Sequence, residues 1–279
     1  MVNKARITKL VKSLAGNLEY TFSPWNYADN ELIVLCMHST PQRFMHRFKE
    51  IFHFLTRHFK PISPSQLPEY YSGNLKDGPY VLFTFDDGLK NNTYVADFLL
   101  QQNVRAFFFV VPDFVASTDS ERYYRTNIRN IIEPEFDNAP EDVTAMSLEE
   151  LAQLVQDGHA IGSHTMSHML RKDASSETNQ EEVVQSKKWL EEKLNHSIAS
   201  FCSPIQTNFT INALGKALVG ETYKYHFTTF PGENSAYFDP LLIFRRNIEV
   251  NWLPGQIKFA LGKKDLKRWK LEIEKYSGL

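Results

Sequence analysis

PYVLFTFDDG (79–88) is a short apolar run that ends in two adjacent carboxylates and a glycine. An apolar run of this length, bounded by turn residues, is typical of a buried strand. Carboxylates beside a core are costly to bury unless an opposite charge pairs with them, which makes Asp86 and Asp87 candidate cation-site residues. The same three residues could instead form an ordinary Asp-Asp-Gly turn, in which Gly88 allows the chain to reverse sharply. Both interpretations stay open.

Apolar runs and amphipathic segments alternate on both sides of this stretch, which predicts a parallel sheet covered on both faces by helices. Six or seven such units could close into a barrel, so we expect an α/β fold in a single domain over residues 1–279. The predicted strands are 31–38, 79–85, 105–111, 159–164, 198–204, 223–230 and 243–250, and the predicted helices are 41–59, 93–103, 147–158, 177–194, 212–220 and 254–275.

Two segments depart from this alternation. Residues 1–30 form an N-terminal extension, and residues 112–146 carry many acids with little periodicity. A long irregular connection inside a compact domain is usually functional or mobile. We therefore interpret 112–146 as an insertion near the site, with mobile surface decoration as the alternative.

The composition limits the compartment and the partners. A net charge of −2 argues against a nucleic-acid partner, which would require a clearly basic face. Cys36 and Cys202 are too few and too far apart for a disulfide framework, and residues 1–18 lack a continuous apolar core like that of a signal peptide. Both observations predict a cytoplasmic protein.

The N-terminal extension itself suggests a helix. Apolar residues recur at helical spacing within residues 7–18, among four basic residues and with no acid before Glu19. Such a helix could make a peripheral contact with an anionic membrane. The simpler interpretation is that it packs on the domain and leaves a solvated basic face, and both interpretations stay open.

The second polar group is SHTMSH (163–168), at the end of a predicted strand. His164 and His168 share one face if the segment is helical, so both rings could reach one ion, whereas a lone histidine would more often be structural. Two histidines and one carboxylate leave open metal positions for water and substrate, and a second carboxylate can act as general base. A phosphatase with an aspartyl nucleophile is a rival interpretation of the acidic pair, although its carboxylates are usually two residues apart.

FTFDDG (83–88) followed by SHTMSH (163–168) resembles the polysaccharide deacetylase family, also called the NodB-like domain or carbohydrate esterase family 4. Further segments resemble the family in the same order, namely LCMH (35–38), PISPSQL (61–67), AFFFVV (106–111), FCSPIQ (201–206) and FRRNIEV (244–250). The resemblance covers roughly residues 31–250. It implies a distorted (β/α) barrel of about seven parallel strands.

The resemblance also implies roles for individual residues. Asp86 would be the general base, and Asp87, His164 and His168 would bind the metal, with Zn²⁺ as the default and other divalent metals possible. A metal-bound water would attack the carbonyl of an N-acetylated saccharide, and acetate would leave.

Two motifs depart from the family pattern. Where many members carry an arginine-and-proline motif or a Tyr-Pro-x-Gly motif, this chain has CSPIQ (202–206), in which Pro204 matches. The family's late leucine-rich motif, whose histidine protonates the leaving amine, has no clear counterpart. His38 and His226, at the ends of predicted strands, are the candidate replacements.

Arg245 or Arg246 could orient Asp86 or bind substrate, with a surface ion pair as the alternative. The residues support a metal-bound water and its base, and the resemblance implies a metal-dependent N-deacetylase acting on a surface polysaccharide, a lipopolysaccharide or a lipid-linked glycan precursor. A catalytically weakened carbohydrate-binding protein on the same fold is one alternative. A metal-dependent deacylase of a non-sugar amide or ester is another.

Overall fold

The computed structural model describes residues 4–22, 25, 27–128, 139, 142–169, 172–204, 211–235 and 238–262. Each of the seven predicted strands contains an observed one, and two short strands, Lys60–Pro61 and Asn234–Ser235, were not predicted. The strands are β1 Glu31–Met37, β2 Lys60–Pro61, β3 Tyr80–Phe85, β4 Phe107–Val110, β5 Ala160–Ser163, β6 Ser200–Cys202, β7 Tyr225–Phe227, β8 Asn234–Ser235 and β9 Arg246–Asn247.

Helices alternate with these strands. Two π-helical turns, Tyr124–Ile128 and Gln180–Gln185, extend neighbouring α-helices. The α-helices are α1 Lys4–Phe22, α2 Met45–Thr56, α3 Leu67–Tyr71, α4 Thr93–Gln101, α5 Pro112–Ala116, α6 Ser120–Tyr123, α7 Leu148–Gln156, α8 Ser176–Asn179, α9 Ser186–Leu194, α10 Ala213–Thr222 and α11 Pro254–Leu261.

The strands form one curled sheet in the order β7-β6-β5-β4-β3-β1-β8, with β2 beside β3 and β9 beside β1. Only the pairing of β1 with β8 is antiparallel among these strands. One stretch of chain touches both ends of the parallel path, because Ile243 bridges to Phe227 of β7 and β9 pairs with β1. The predicted α/β fold with a curled, barrel-like parallel sheet is therefore confirmed.

Alternate residues of β1, β3 and β4 enter two different apolar clusters. In β3, Val81 and Phe83 pack with helix residues such as Phe48, whereas Tyr80 and Leu82 join a second cluster that includes Leu32 and Val34 of β1. Successive side chains of a strand point to opposite faces, so the second cluster fills the inside of the curl. Burial on both faces explains why these strands are nearly continuous apolar runs in the sequence.

The segments outside the alternation also contain helices. Within 112–146 the structure has α5, α6 and a π-helical turn, and the backbone N–H of Met146 donates to the carbonyl of Gly88, directly after the acidic pair. The predicted helix 254–275 begins as α11, and its residues beyond 262 lie outside the described residues. Among the described helices, α1 included, none has the combination of length and hydropathy needed to cross a bilayer.

Candidate active site

The polar residues singled out in the sequence gather at one edge of the sheet. Asp86 and Asp87 directly follow β3, His164 directly follows β5, and His38 directly follows β1. Because these strands belong to one parallel path, their carboxyl ends meet at the same edge. Barrel enzymes place their active sites at this edge.

Three of the side chains form a buried cluster of possible metal ligands. The Nε2 atoms of His164 and His168 lie 3.6 Å and 3.5 Å from Oδ1 of Asp87. All three donor atoms lie within 4.8 Å of one another, and all three residues are buried. Two imidazole nitrogens and one carboxylate oxygen suit a divalent cation such as zinc. The structure thus brings together the three residues that the sequence suggested as ligands.

The histidines reach this cluster through a loop, and the helical arrangement considered for SHTMSH is wrong. Residues 164–169 contain no helix, and Thr165 and His168 have left-handed φ angles of 66° and 67°. Asp87 is also left-handed, with φ of 77°. Such backbone strain costs on the order of 1–3 kcal/mol per residue and persists where surrounding contacts enforce it, commonly at functional sites. The turn at a strand end, rather than helical periodicity, therefore sets the positions of the ligands.

Backbone carbonyls orient both histidine rings. Nδ1 of His164 is 2.9 Å from the carbonyl oxygen of Cys202, and Nδ1 of His168 is 3.0 Å from that of Asn127. With the proton on Nδ1, each ring leaves the lone pair of Nε2 available for a cation. Burial lowers the pKa of His164 to about 4 despite the nearby carboxylate of Asp86. The ring is therefore neutral at physiological pH, the state that metal ligation requires.

A buried carboxylate supports the loop between the two histidines. Glu182 accepts hydrogen bonds from the backbone N–H and the hydroxyl of Ser167, at 3.0 Å and 2.6 Å. The Tyr123 hydroxyl donates to the Ser167 carbonyl at 3.0 Å. Glu182 lies in the π-helical turn Gln180–Gln185, and such turns are frequent at functional sites. The sequence analysis missed Glu182, because one acid within a charged amphipathic helix shows no sign of being buried.

The second carboxylate, Asp86, is bound by a buried arginine. Nη1 and Nη2 of Arg245 donate to Oδ1 and Oδ2 of Asp86, both at 2.7 Å. Burial alone would raise the pKa of Asp86, but the charge of Arg245 and its hydrogen bonds hold that pKa well below its usual range. Asp86 is therefore ionised at physiological pH, as a general base must be.

Of the two arginines considered for this contact, Arg245 makes it. Arg246 reaches instead toward the carbonyl of Ala260 in α11, at 3.4 Å. Adjacent residues of an extended segment point to opposite sides, so only one of the two can face Asp86. The sequence placed the pair on the correct strand, but it did not determine which arginine faces the site.

Cys36 and Cys202 are free, buried thiols beside Asp86, with Sγ atoms 3.5 Å and 3.9 Å from its Oδ2. Two further donor groups, each built from Asp86 with one cysteine and one histidine, therefore also lie within 4.8 Å. Burial raises the pKa of both thiols well above the ordinary value, and the guanidinium of Arg245 already pairs with Asp86. Both groups are consequently poorer cation sites than the cluster around Asp87.

His38 forms an ion pair with a residue that the sequence analysis did not identify. Its Nδ1 is 2.7 Å from Oε1 of Glu249, whose side chain is fully buried. A ring nitrogen of His38 also lies within 4.8 Å of a carboxylate oxygen of Asp86. Burial alone would lower the pKa of His38, but Glu249 and the site carboxylates raise it to about 10. His38 is therefore protonated at physiological pH and can act as a proton donor.

The other histidine considered as a proton donor is in a different state. Nε2 of His226 is 2.6 Å from the hydroxyl of Ser203, and both residues are buried. Burial, with the charge of Lys216, lowers the pKa of His226 to about 3, so at physiological pH the ring is neutral and is not a general acid. Pro204 is buried two residues after the end of β6, and the next six residues lie outside the described part of the chain.

Comparison with known protein families identifies the chain. The model of the polysaccharide deacetylase family matches residues 74–214, just over half of the sequence. The chain belongs to the polysaccharide deacetylase family. The resemblance seen in the sequence is thereby confirmed, and membership implies an acetylated saccharide as the substrate class. Members of this family are generally metal-dependent, and the cluster around Asp87 is a possible metal-binding group.

Solved structures show the same fold for this family member. The deacetylase PplD of Streptococcus pyogenes, in complex with acetate, is similar with a TM-score of 0.61 and 18% identity, over 84% of this chain and 100% of that one. The deacetylase domain of BpsB from Bordetella bronchiseptica is similar with a TM-score of 0.64 and 18% identity, over 80% of this chain and 98% of that one. IcaB from Ammonifex degensii is similar with a TM-score of 0.62 and 17% identity, over 84% of this chain and 98% of that one. Comparison with curated proteins found no match.

Proposed function

We propose that this protein hydrolyses the N-acetyl group of an N-acetylated sugar in a metal-dependent reaction. The observation that carries the proposal is the separation of two carboxylates into two environments. Asp87 lies beside His164 and His168 in a possible ligand cluster, while the adjacent Asp86 is bound by Arg245 and kept ionised. Two carboxylates with different surroundings suit two different roles, as metal ligand and as base.

We propose Zn²⁺ as the physiological cation, held by Asp87, His164 and His168. The nitrogen-rich donor set favours zinc over magnesium or calcium, which prefer oxygen ligands. When bound, such a cation polarises the acetyl carbonyl and lowers the pKa of a water molecule.

In this proposal Asp86 accepts the proton of the attacking water. Water adds to the carbonyl carbon, and the C–N bond then breaks to leave acetate and a free amine. The bidentate bond from Arg245 holds both carboxylate oxygens of Asp86 in place, so the base is oriented before substrate arrives. Arg245 thus acts as a positioning residue in the reaction.

His38 is proposed as the acid that protonates the leaving nitrogen. In this proposal it takes the role of the histidine in the leucine-rich motif, which has no clear counterpart in this chain. Two observations support the assignment: the ion pair with Glu249 keeps the ring protonated, and the ring lies near Asp86. An amine nitrogen is a poor leaving group unless it is protonated as the C–N bond breaks. His38 would therefore have its largest effect on that step.

For the substrate we propose an N-acetylated glycan presented in the cytoplasm, either as a surface-polysaccharide or lipopolysaccharide precursor or on a lipid carrier. The cytoplasmic location is supported by two buried free thiols. A peripheral membrane contact through the N-terminal helix would bring the enzyme to lipid-linked substrate.

Acetate release tests the proposal directly. The protein is stripped of metal, titrated with zinc, and assayed on N-acetylhexosamine oligomers, lipid-linked glycans and a panel of non-sugar N-acyl and O-acyl compounds. We expect acetate from an N-acetylated saccharide at a zinc stoichiometry near one.

Three other results would contradict the proposal. Release from the non-sugar panel alone would make the protein a deacylase of another amide or ester. Sugar binding with no turnover by the zinc-loaded protein would make it a carbohydrate-binding module. Full activity in metal-free protein would remove the role of the cluster around Asp87.

A further inference from the structure

Helix α1 exposes a continuous apolar face. Among the described residues eight large hydrophobic side chains are exposed, and five of them belong to this one helix. Their spacing along the helix is i, i+3, i+4, i+7 and i+11, which places them on one stripe. They are Ile7, Leu10, Val11, Leu14 and Leu18, with exposed fractions of 48%, 50%, 58%, 64% and 58%. An apolar stripe of this size on a monomer marks an interaction surface.

The opposite side of α1 is fastened to the rest of the protein. A Cβ placed on Gly16 would lie 1.9 Å from the carbonyl oxygen of Gly255 in α11, so the two helices approach as closely as their backbones allow. Tyr20 stacks edge-on against Trp25 at 4.9 Å and hydrogen-bonds to His58 at 3.0 Å. The helix is thus held by one side, and the exposed stripe does not serve this contact.

The charge of α1 contrasts with that of the remaining chain. Helix α1, Lys4–Phe22, contains four basic residues and one acidic residue, Glu19. Removing these from the totals of 31 basic and 33 acidic residues leaves 27 basic against 32 acidic ones, a net charge of −5 for the rest of the chain. Positive charge is therefore concentrated on the helix that carries the exposed apolar stripe. This combination is typical of helices that lie in the interface of an anionic bilayer.

We propose that α1 docks the protein on an anionic lipid surface, with the stripe from Ile7 to Leu18 inserted at the boundary of headgroups and acyl chains. A second copy of the chain is a poorer occupant, because a two-fold contact between two α1 helices would bring eight basic residues together. The bilayer supplies both the apolar layer and the opposite charge. The inference is independent of the deacetylase chemistry, although it would place the enzyme beside lipid-linked substrate.

Flotation with lipid vesicles tests the docking. The full-length protein is mixed with vesicles of phosphatidylcholine, with or without phosphatidylglycerol, and the bound fraction is measured at low and raised salt. We expect binding that requires phosphatidylglycerol and weakens as salt screens the charges. Absence of binding to anionic vesicles at low salt would overturn the proposal.

Matched variants separate the stripe from other exposed leucines. Leu10→Ser with Leu14→Ser should lower the partition coefficient by about tenfold per leucine. Leu214→Ser with Leu253→Ser removes two exposed leucines outside α1 and should leave binding unchanged. Lys4→Gln with Lys12→Gln should lower the partition coefficient by about fivefold per lysine. Equal loss in both leucine pairs would contradict the docking face.

Two controls keep the result independent of folding and of catalysis. Each variant is compared with wild type in its thermal unfolding temperature and its zinc affinity. We expect both to stay constant, because the substituted side chains contribute to docking and not to the zinc site. Sedimentation equilibrium without lipid tests the other occupant of the stripe. A wild-type dimer that Leu10→Ser with Leu14→Ser dissociates, together with no vesicle binding, would assign the face to a second copy instead.

Discussion

The two halves of the candidate active site differ in how their residues are brought together. The proposed ligand half comes from strand ends that carry compact motifs, so that Asp87 and the pair His164–His168 are each visible within a few residues of sequence. The proposed proton-transfer half consists of ion pairs that join distant residues. Arg245 and Asp86 are 159 residues apart, and His38 and Glu249 are 211 apart.

This difference follows from what each function requires of its residues. A cation requires donors at short, fixed separations, and a strand-end motif provides them locally. An acid or a positioning cation requires only a charged group that reaches the site with its partner, and any neighbouring strand can supply one. In the proposed mechanism, compact strand-end motifs supply the metal ligands and the base, and β1 and the segment around β9 supply the distant charged partners.

The largest expected effect separates the base from the ligands. Asp86→Asn should lower the rate of acetate release by about 10³-fold, because a neutral amide cannot accept the proton of the attacking water. Zinc affinity should change little, since Asp87, His164 and His168 are intact. Acetate release and calorimetric zinc titration measure the two effects. If Asp86→Asn stays active, Asp86 is not the base. If the variant loses zinc, Asp86 belongs to the metal site and the two roles are not separate.

The next effect concerns the stability of the distant half. Arg245→Met should lower the free energy of unfolding by about 3 kcal/mol, because the buried carboxylate of Asp86 is left without its partner. Adding Asp86→Asn to that variant removes the unpaired charge and should restore part of the loss. Urea unfolding of the single and double variants gives the coupling energy. Additive losses would show that the pair is not a unit.

The acid half is tested by pH. His38→Gln should lower the rate by about 10²-fold and remove the alkaline limb of the rate profile. In wild type that limb should appear as pH rises through about 10, the raised pKa of His38. Glu249→Gln should move the limb to lower pH, because the carboxylate is what raises the pKa. An unchanged profile in Glu249→Gln would exclude His38 as the acid.

The ion pair between His38 and Glu249 also predicts how the stability of the fold changes with pH. The pKa of His38 is about 10 in the folded protein, against an ordinary value of 6.5. A pKa raised on folding contributes stability that is complete below pH 6.5 and is lost as pH rises through about 10. Wild type should therefore lose stability relative to His38→Gln over this range, as measured by urea unfolding at successive pH values.

The smallest effect tests the support of the ligand loop. Glu182→Gln keeps the shape of the side chain but weakens its hydrogen bonds to Ser167, so zinc affinity should fall by about tenfold. Glu181→Gln changes the exposed neighbouring acid and serves as the matched control. Equal affinities in the two variants would show that the loop holds its strained backbone without Glu182.

The sequence alone determined the parallel α/β architecture and the cluster of Asp87, His164 and His168, together with the neighbouring Asp86. Both depend on local order: buried strands are apolar runs, and their carboxyl ends in a parallel sheet meet at one edge. The short strands β2 and β8 escaped prediction because two-residue strands have no periodicity.

Only the tertiary structure decided how Asp86 and His38 are charged. It brought Arg245 rather than Arg246 to Asp86, and it paired His38 with Glu249. It also placed His226 against Ser203 and gave SHTMSH a loop conformation with left-handed φ angles at two residues. Each of these depends on which side chains meet across a curled sheet and on how far water is excluded from them. Burial and pairing set the protonation of such groups, and neither is written in the local order of residues.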